Sequence, residues 1–99
     1  MKRYIKSAVN NLANEPYEIQ EELVCDKDAG PAVLMNLTDS RYASIRYDII
    51  WHDNVTEEIL RKLANDVNIG VLKAVATNPK TPSDISDPLY QKLADQGYF

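Results

Sequence analysis

The chain holds one cysteine, one histidine, one tryptophan and one phenylalanine in 99 residues. Each scarcity excludes a class of chemistry. Cys25 alone cannot close an intramolecular disulfide or assemble a thiolate cluster around a metal. Nucleophilic catalysis needs a Cys or Ser beside a base with an orienting partner, and His52, the only imidazole, is remote from Cys25 in sequence. No stretch approaches the roughly 18 consecutive apolar residues that a membrane-spanning helix requires. The start, Met1-Lys2-Arg3-Tyr4-Ile5-Lys6, is basic, but Lys6, Asn10 and Asn11 interrupt the apolar residues near it, which argues against a secretory signal. The three glycines and five prolines sit between apolar segments as punctuation. These absences describe a cytoplasmic protein with no resident metal or cofactor and no catalytic residue.

Cations are also in short supply, with 11 Lys and Arg against 15 Asp and Glu and a net charge of −4. Lys2, Arg3 and Lys6 make the first ten residues basic, whereas Glu15, Glu18, Glu21, Glu22, Asp26 and Asp28 face Lys27 alone. Wrapping nucleic-acid phosphates needs clustered Lys and Arg, so a nucleic-acid partner is disfavoured.

What the chain does contain is internal similarity. A shift of 40 pairs Ile5 with Ile45, Asn14 with Asn54, Glu18 with Glu58, Ile19 with Ile59, Leu23 with Leu63, Asp26 with Asp66 and Gly30 with Gly70. Chance at ordinary composition gives roughly one or two such identities. A second shift, of 26, pairs Ile45 with Val71, Ile49 with Val75 and Ile59 with Ile85. Apolar spacing throughout is helical. A first helix is expected over Lys2 to Ala13 with Ile5, Val9 and Leu12 on one face, and a second over 16–25 with Glu18 and Glu22 outward. A short, all-round apolar segment comes next over 31–37, which suits a central helix. Helices are expected from Arg41 to His52, from about 57 to 65 with Thr56 as cap, and over 71–77. Thr81-Pro82-Ser83-Asp84 has a capping-box arrangement, Asp87-Pro88 is expected to restart a helix, and Gly97 is a natural left-handed stop.

The stretch Val71-Leu72-Lys73-Ala74-Val75-Ala76-Thr77-Asn78-Pro79-Lys80-Thr81-Pro82 resembles the leucine-rich repeat variant unit. In that family an inner helix ends in Ala-x-Asn-Pro-x-Thr-Pro and a second helix comes after it. Ile45 to Asp66 looks like a degenerate copy, with His52-Asp53-Asn54-Val55-Thr56 at the turn, and Asn14-Glu15-Pro16 is a weaker echo. The resemblance implies an all-α fold, a short right-handed α-solenoid of about three to four degenerate repeats, akin to HEAT and armadillo stacks. The units would fall at about 2–30, 31–40, 41–70 and 71–99 of a single domain. Residues 31–44 look like an inner helix whose outer partner is missing, and residues around Ser86 to Leu89 look inserted. Family members that carry an iron–sulfur cluster hold it on a cysteine cluster outside the repeats, and this chain has no such cluster.

The remaining candidates are surface residues. Tyr47 and Trp51 are four apart on one helix, with Ile50 near them and Arg46 beside them; Trp, Tyr and Arg dominate interface hot spots. The competing reading packs this side against the preceding helix. Glu15, Glu18 and Glu22 form an acidic stripe, either a solvated helix face or a surface for a basic partner. Tyr98-Phe99 is expected to cover the last hydrophobic layer. Together these features point to a non-enzymatic protein–protein interaction module, an adaptor or an inhibitor. The alternatives are a HEAT-like protein acting on nucleic acid and a self-associating assembly subunit.

Overall fold

The computed structural model of the protein describes residues 9–99. Every regular element among them is helical: a 3-10 stretch over Val9–Asn14, then α1 (Tyr17–Cys25), α2 (Pro31–Leu37), α3 (Ala43–Ile50), α4 (Glu57–Leu63), α5 (Ile69–Thr77) and α6 (Ser83–Asp95). None of these helices is long and apolar enough to cross a membrane. The helix expected from Lys2 lies largely outside the described residues, as do Ile5 and the basic cluster Lys2, Arg3 and Lys6. Its described end is not a regular α-helix, because Asn11 has φ −134 and ψ 20. Tertiary bonds compete for the backbone there. The Leu12 N–H donates to Asn36 Oδ1 at 2.8 Å, and buried Gln20 donates Nε2 to the carbonyls of Ala13 and Glu15.

Helix starts recur with a fixed period. Tyr17, Ala43 and Ile69 open α1, α3 and α5, and Pro31, Glu57 and Ser83 open α2, α4 and α6, each 26 residues after the last. The recurrence aligns Leu23, Ile49 and Val75, and also Leu37, Leu63 and Leu89, all of them buried in one core. Contacts keep the same order: α1 packs on α3, α3 on α5 and α2 on α4, while α6 lies against α5. The shift of 40 instead lays α1 on α4, a helix of the other kind. The segment over 31–37 does have a preceding partner, α1, against which it packs.

Local chemistry explains the helix ends. The Thr56 hydroxyl accepts the Ile59 N–H at 3.3 Å, and Asn68 Oδ1 accepts that of Val71 at 3.1 Å, each satisfying an orphan donor in the first turn. Gly97, at φ +89, closes α6. The Gly97 N–H reaches Ala94 O and the Tyr98 N–H reaches Leu93 O at 2.9 Å, the paired bonds of a Schellman stop. Two expectations are corrected in α6. The helix runs unbroken through Pro88. Proline there removes only the bond to Asp84 near the helix start, while Leu89 and Leu93 anchor the rest in the core. Pro82, not Thr81, is the N-cap, with no side-chain cap bond; Thr81 is buried.

Three equivalent positions, Asp26, His52 and Asn78, come directly after the odd-numbered helices or one residue later. Each side chain accepts the N–H two residues on, from Asp28 at 2.9 Å, Asn54 at 2.9 Å and Lys80 at 2.8 Å. Because His52 Nδ1 accepts, Nε2 carries the hydrogen and donates to Asp26 O at 2.8 Å. Asn78 Nδ2 likewise donates to Ile50 O at 2.7 Å. His52→Ala removes both bonds and is expected to lower stability by about 1–3 kcal/mol. His52→Asn is expected to retain most of it, since asparagine already fills the equivalent role at 78. Urea denaturation of both variants distinguishes them, and equal losses would deny His52 this part.

Candidate interaction surface

Positions three, four and seven apart share one face of a helix, and the 26-residue period places equivalent faces of α1, α3 and α5 next to one another. On α1 this face carries Glu18, Glu21, Glu22 and Cys25. On α3 it carries Ser44, Tyr47 and Asp48, with Trp51 as the cap residue just beyond, and on α5 it carries Gly70, Lys73, Ala74 and Thr77. The surface thus changes from acidic to aromatic to small and singly cationic across three neighbouring helices. Of these twelve residues, only Ala74 is buried and Lys73 half-buried.

Tyr47 and Trp51 are 44% and 46% exposed, with ring centroids 6.4 Å apart and planes tilted by 53°. Neither ring is sealed between helices, since both keep nearly half their surface in solvent. They form one wall of an open groove of about 320 Å³, whose remaining lining is Gly70, Lys73, Ala74, Thr77 and Phe99. The groove exists because α5 has Gly70 and Ala74 where α1 has Glu18 and Glu22. A Cβ on Gly70 would meet Asn68 Oδ1 at 3.1 Å, the atom that caps α5. The Gly97 turn precedes the opposite wall: Phe99 stacks on Tyr90 at 4.3 Å with planes 9° apart, and Lys73 Nζ lies 5.3 Å from the Phe99 centroid. Tyr98 and Phe99 therefore stay exposed at 43% and 42% instead of sealing the core.

The acids gather on the other side of Tyr47. Glu18, Glu21 and Glu22 are exposed, and the Tyr17 hydroxyl donates to Glu21 Oε2 at 3.3 Å. Partial burial, and secondarily the negative charge of Glu21, raise the Asp48 carboxyl above its ordinary value of 3.8.

Three residues proposed from sequence leave this face. Arg46 points away: its Nε and Nη2 meet the Asp66 carboxylate at 2.7 and 3.2 Å, and Nη1 reaches Ser40 O at 2.7 Å. Ile50 is fully buried. Glu15 precedes α1 and lines a separate depression with Ala13, Asn14, Asp39 and Arg41. Phe99, expected to cover the last hydrophobic layer, joins the surface instead, as do three residues not offered for a protein interface, Lys73, Asp48 and Glu21. The 26-residue register was the signal that could have found the last three. Both nitrogens of His52 are bonded to backbone groups and Cys25 is an exposed free thiol, so they form no nucleophile–base pair. Among the described residues no three His, Cys, Asp or Glu side chains converge as metal ligands would. No family model matches the chain, and comparison with curated proteins and with solved structures finds no match.

Proposed function

We propose that this protein is a non-enzymatic protein–protein interaction module, an adaptor or an inhibitor, that engages its partner through the joined face of α1, α3 and α5. The observation that carries the reading is the exposed Tyr47–Trp51 pair above an open groove. Large aromatic side chains left in water at the centre of a surface are the usual anchors of an interface. In this reading the chain is a short right-handed α-solenoid of the leucine-rich repeat variant and HEAT-like kind, with units opening at Tyr17, Ala43 and Ile69. The fixed helix period, the serial packing of like helices and an envelope of 44 × 21 × 18 Å support it. Glu18, Glu21 and Glu22 favour a partner with a basic surface and disfavour nucleic acid.

Trp51→Ala is expected to abolish capture of the partner by the tagged protein while changing stability by no more than about 0.5 kcal/mol, as for other exposed positions. Capture read by mass spectrometry, with urea denaturation alongside, checks both halves. Unfolding of the variant would return Trp51 to a structural role, and undiminished capture would move the interface elsewhere. Self-association is a second reading, favoured by Tyr90, Tyr98 and Phe99, which are exposed in addition to the α3 pair. A mass that rises with concentration in sedimentation equilibrium, and falls back in Trp51→Ala, would select it.

A further inference from the structure

Resting on the interaction-module reading, we propose that the surface takes an arginine from an extended segment of the partner protein. Its guanidinium would lie against the Tyr47–Trp51 pair and beside the Glu21 and Asp48 carboxylates, and an apolar residue further along the segment would enter the α3–α5 groove. Charge complementarity selects this occupant. Glu21 and Asp48 stand on α1 and α3, which pack on one another and meet where the Tyr17 hydroxyl lies between Glu21 Oε2 and Ser44 Oγ, and the Glu21 charge is felt at Asp48. Among the described residues, no ion pair involves Glu18, Glu21, Glu22 or Asp48; the pairs present are Arg46–Asp66, Arg61–Glu57, Arg61–Asp84 and Lys62–Asp39. Exposed carboxylates on neighbouring helices, on the same face as two exposed rings, favour a cation that is also flat. Guanidinium meets both demands, because it stacks on aromatic faces and donates to carboxylates in a planar fork, whereas an ammonium is a compact, strongly hydrated point charge.

The arrangement also sets direction. Lys73, at the far wall beside Phe99, repels the same cation and keeps it on the α1 side. The floor of the groove, Gly70 and Ala74, offers no charge and accepts an aliphatic group. Neighbouring helix axes lie about 8–10 Å apart, and an extended chain advances about 3.3 Å per residue. The apolar residue therefore stands two or three positions from the arginine along the segment.

Trp51 is the only tryptophan, so its fluorescence reads occupancy of this surface directly. The probes are Gly/Ser peptides carrying Arg-Gly-Ser-Leu and the same peptides with lysine or citrulline in place of arginine. The arginine peptide is expected to bind about tenfold more tightly than its citrulline counterpart, which keeps the shape and loses the charge, with lysine between them. Glu21→Gln/Asp48→Asn is expected to erase that preference, and Glu57→Gln/Glu58→Gln, on α4, to leave it intact. Equal binding of arginine and citrulline peptides, an equal response to the two double variants, or no change in Trp51 fluorescence would overturn the proposal. If peptide binding fails while Trp51-dependent capture of a partner persists, the arginine assignment falls and the module stands. If both fail, both fall. Binding that emerges only in Lys2→Gln/Arg3→Gln/Lys6→Gln would show that the chain's own basic segment occupies the face, and would overturn the assignment to a partner.

Discussion

Leu63→Ala is expected to lower the unfolding free energy by about 2–5 kcal/mol, the range for truncating a buried leucine. Leu63 is 2% exposed, sits in the last turn of α4, and occupies the position that Leu37 holds in α2 and Leu89 in α6. Removing its branched end takes apolar surface from the core and leaves a cavity lined by neighbours anchored on several helices, so relaxation is limited. In a domain of this size about 1 kcal/mol corresponds to about 4–8 °C in melting temperature. The shift should therefore be plain in both thermal and urea denaturation. Val67→Ala, four residues on and 92% exposed, is the matched control with an expected change of no more than about 0.5 kcal/mol. Similar behaviour of the two variants would contradict the placement of α4.

Asp66→Ala is expected to be comparably severe, at about 3–5 kcal/mol, for a different reason. Asp66 and Arg46 have side chains only 6% and 13% exposed and meet at 2.7 Å. Deleting the carboxylate strands a guanidinium that is largely out of water, with Ser40 O as its remaining partner. The same carboxylate accepts the Asn68 N–H, so the loop that presents the α5 cap loosens too. Arg46→Met/Asp66→Ala removes the stranded charge and is expected to recover much of the loss. A double-mutant cycle by urea denaturation measures the coupling. A deficit for Asp66→Ala below about 1 kcal/mol would mean that Arg46 reaches solvent when released.

The helices were legible because their apolar spacing and caps are local. Thr56, Gly97 and the outward Glu18 and Glu22 needed nothing but neighbouring residues to be placed. The repeat register was not legible from identities. The seven identities at a shift of 40 include Asp26 with Asp66 and Gly30 with Gly70, which are loop and helix-end residues at different kinds of junction. The packing period of 26 is carried chiefly by apolar character, as in Leu23, Ile49 and Val75. Identity therefore rewarded similar punctuation, while the core required similar volume. Arg46 was misplaced because its fate depends on Asp66, twenty residues away. Pro88 read as a break because local propensity could not weigh Leu89 and Leu93 against one lost hydrogen bond. The groove depended on small residues, Gly70 and Ala74, facing large ones from another helix, which only the correct register brings together.

The bonds at the turns after α1, α3 and α5 have a direction. His52, Asn54, Asn78 and Lys80 are all donors, and they reach back to the carbonyls of Asp26, Lys27, Ala29, Ile50 and Asp53. Every acceptor precedes its donor in the chain. A ribosome releases the chain in that same order, so each newly emerged turn finds its docking carbonyls already made. Vectorial synthesis thus delivers the acceptors of each turn before its donors, and the buried Asn78 amide never has to wait for a partner still to be translated.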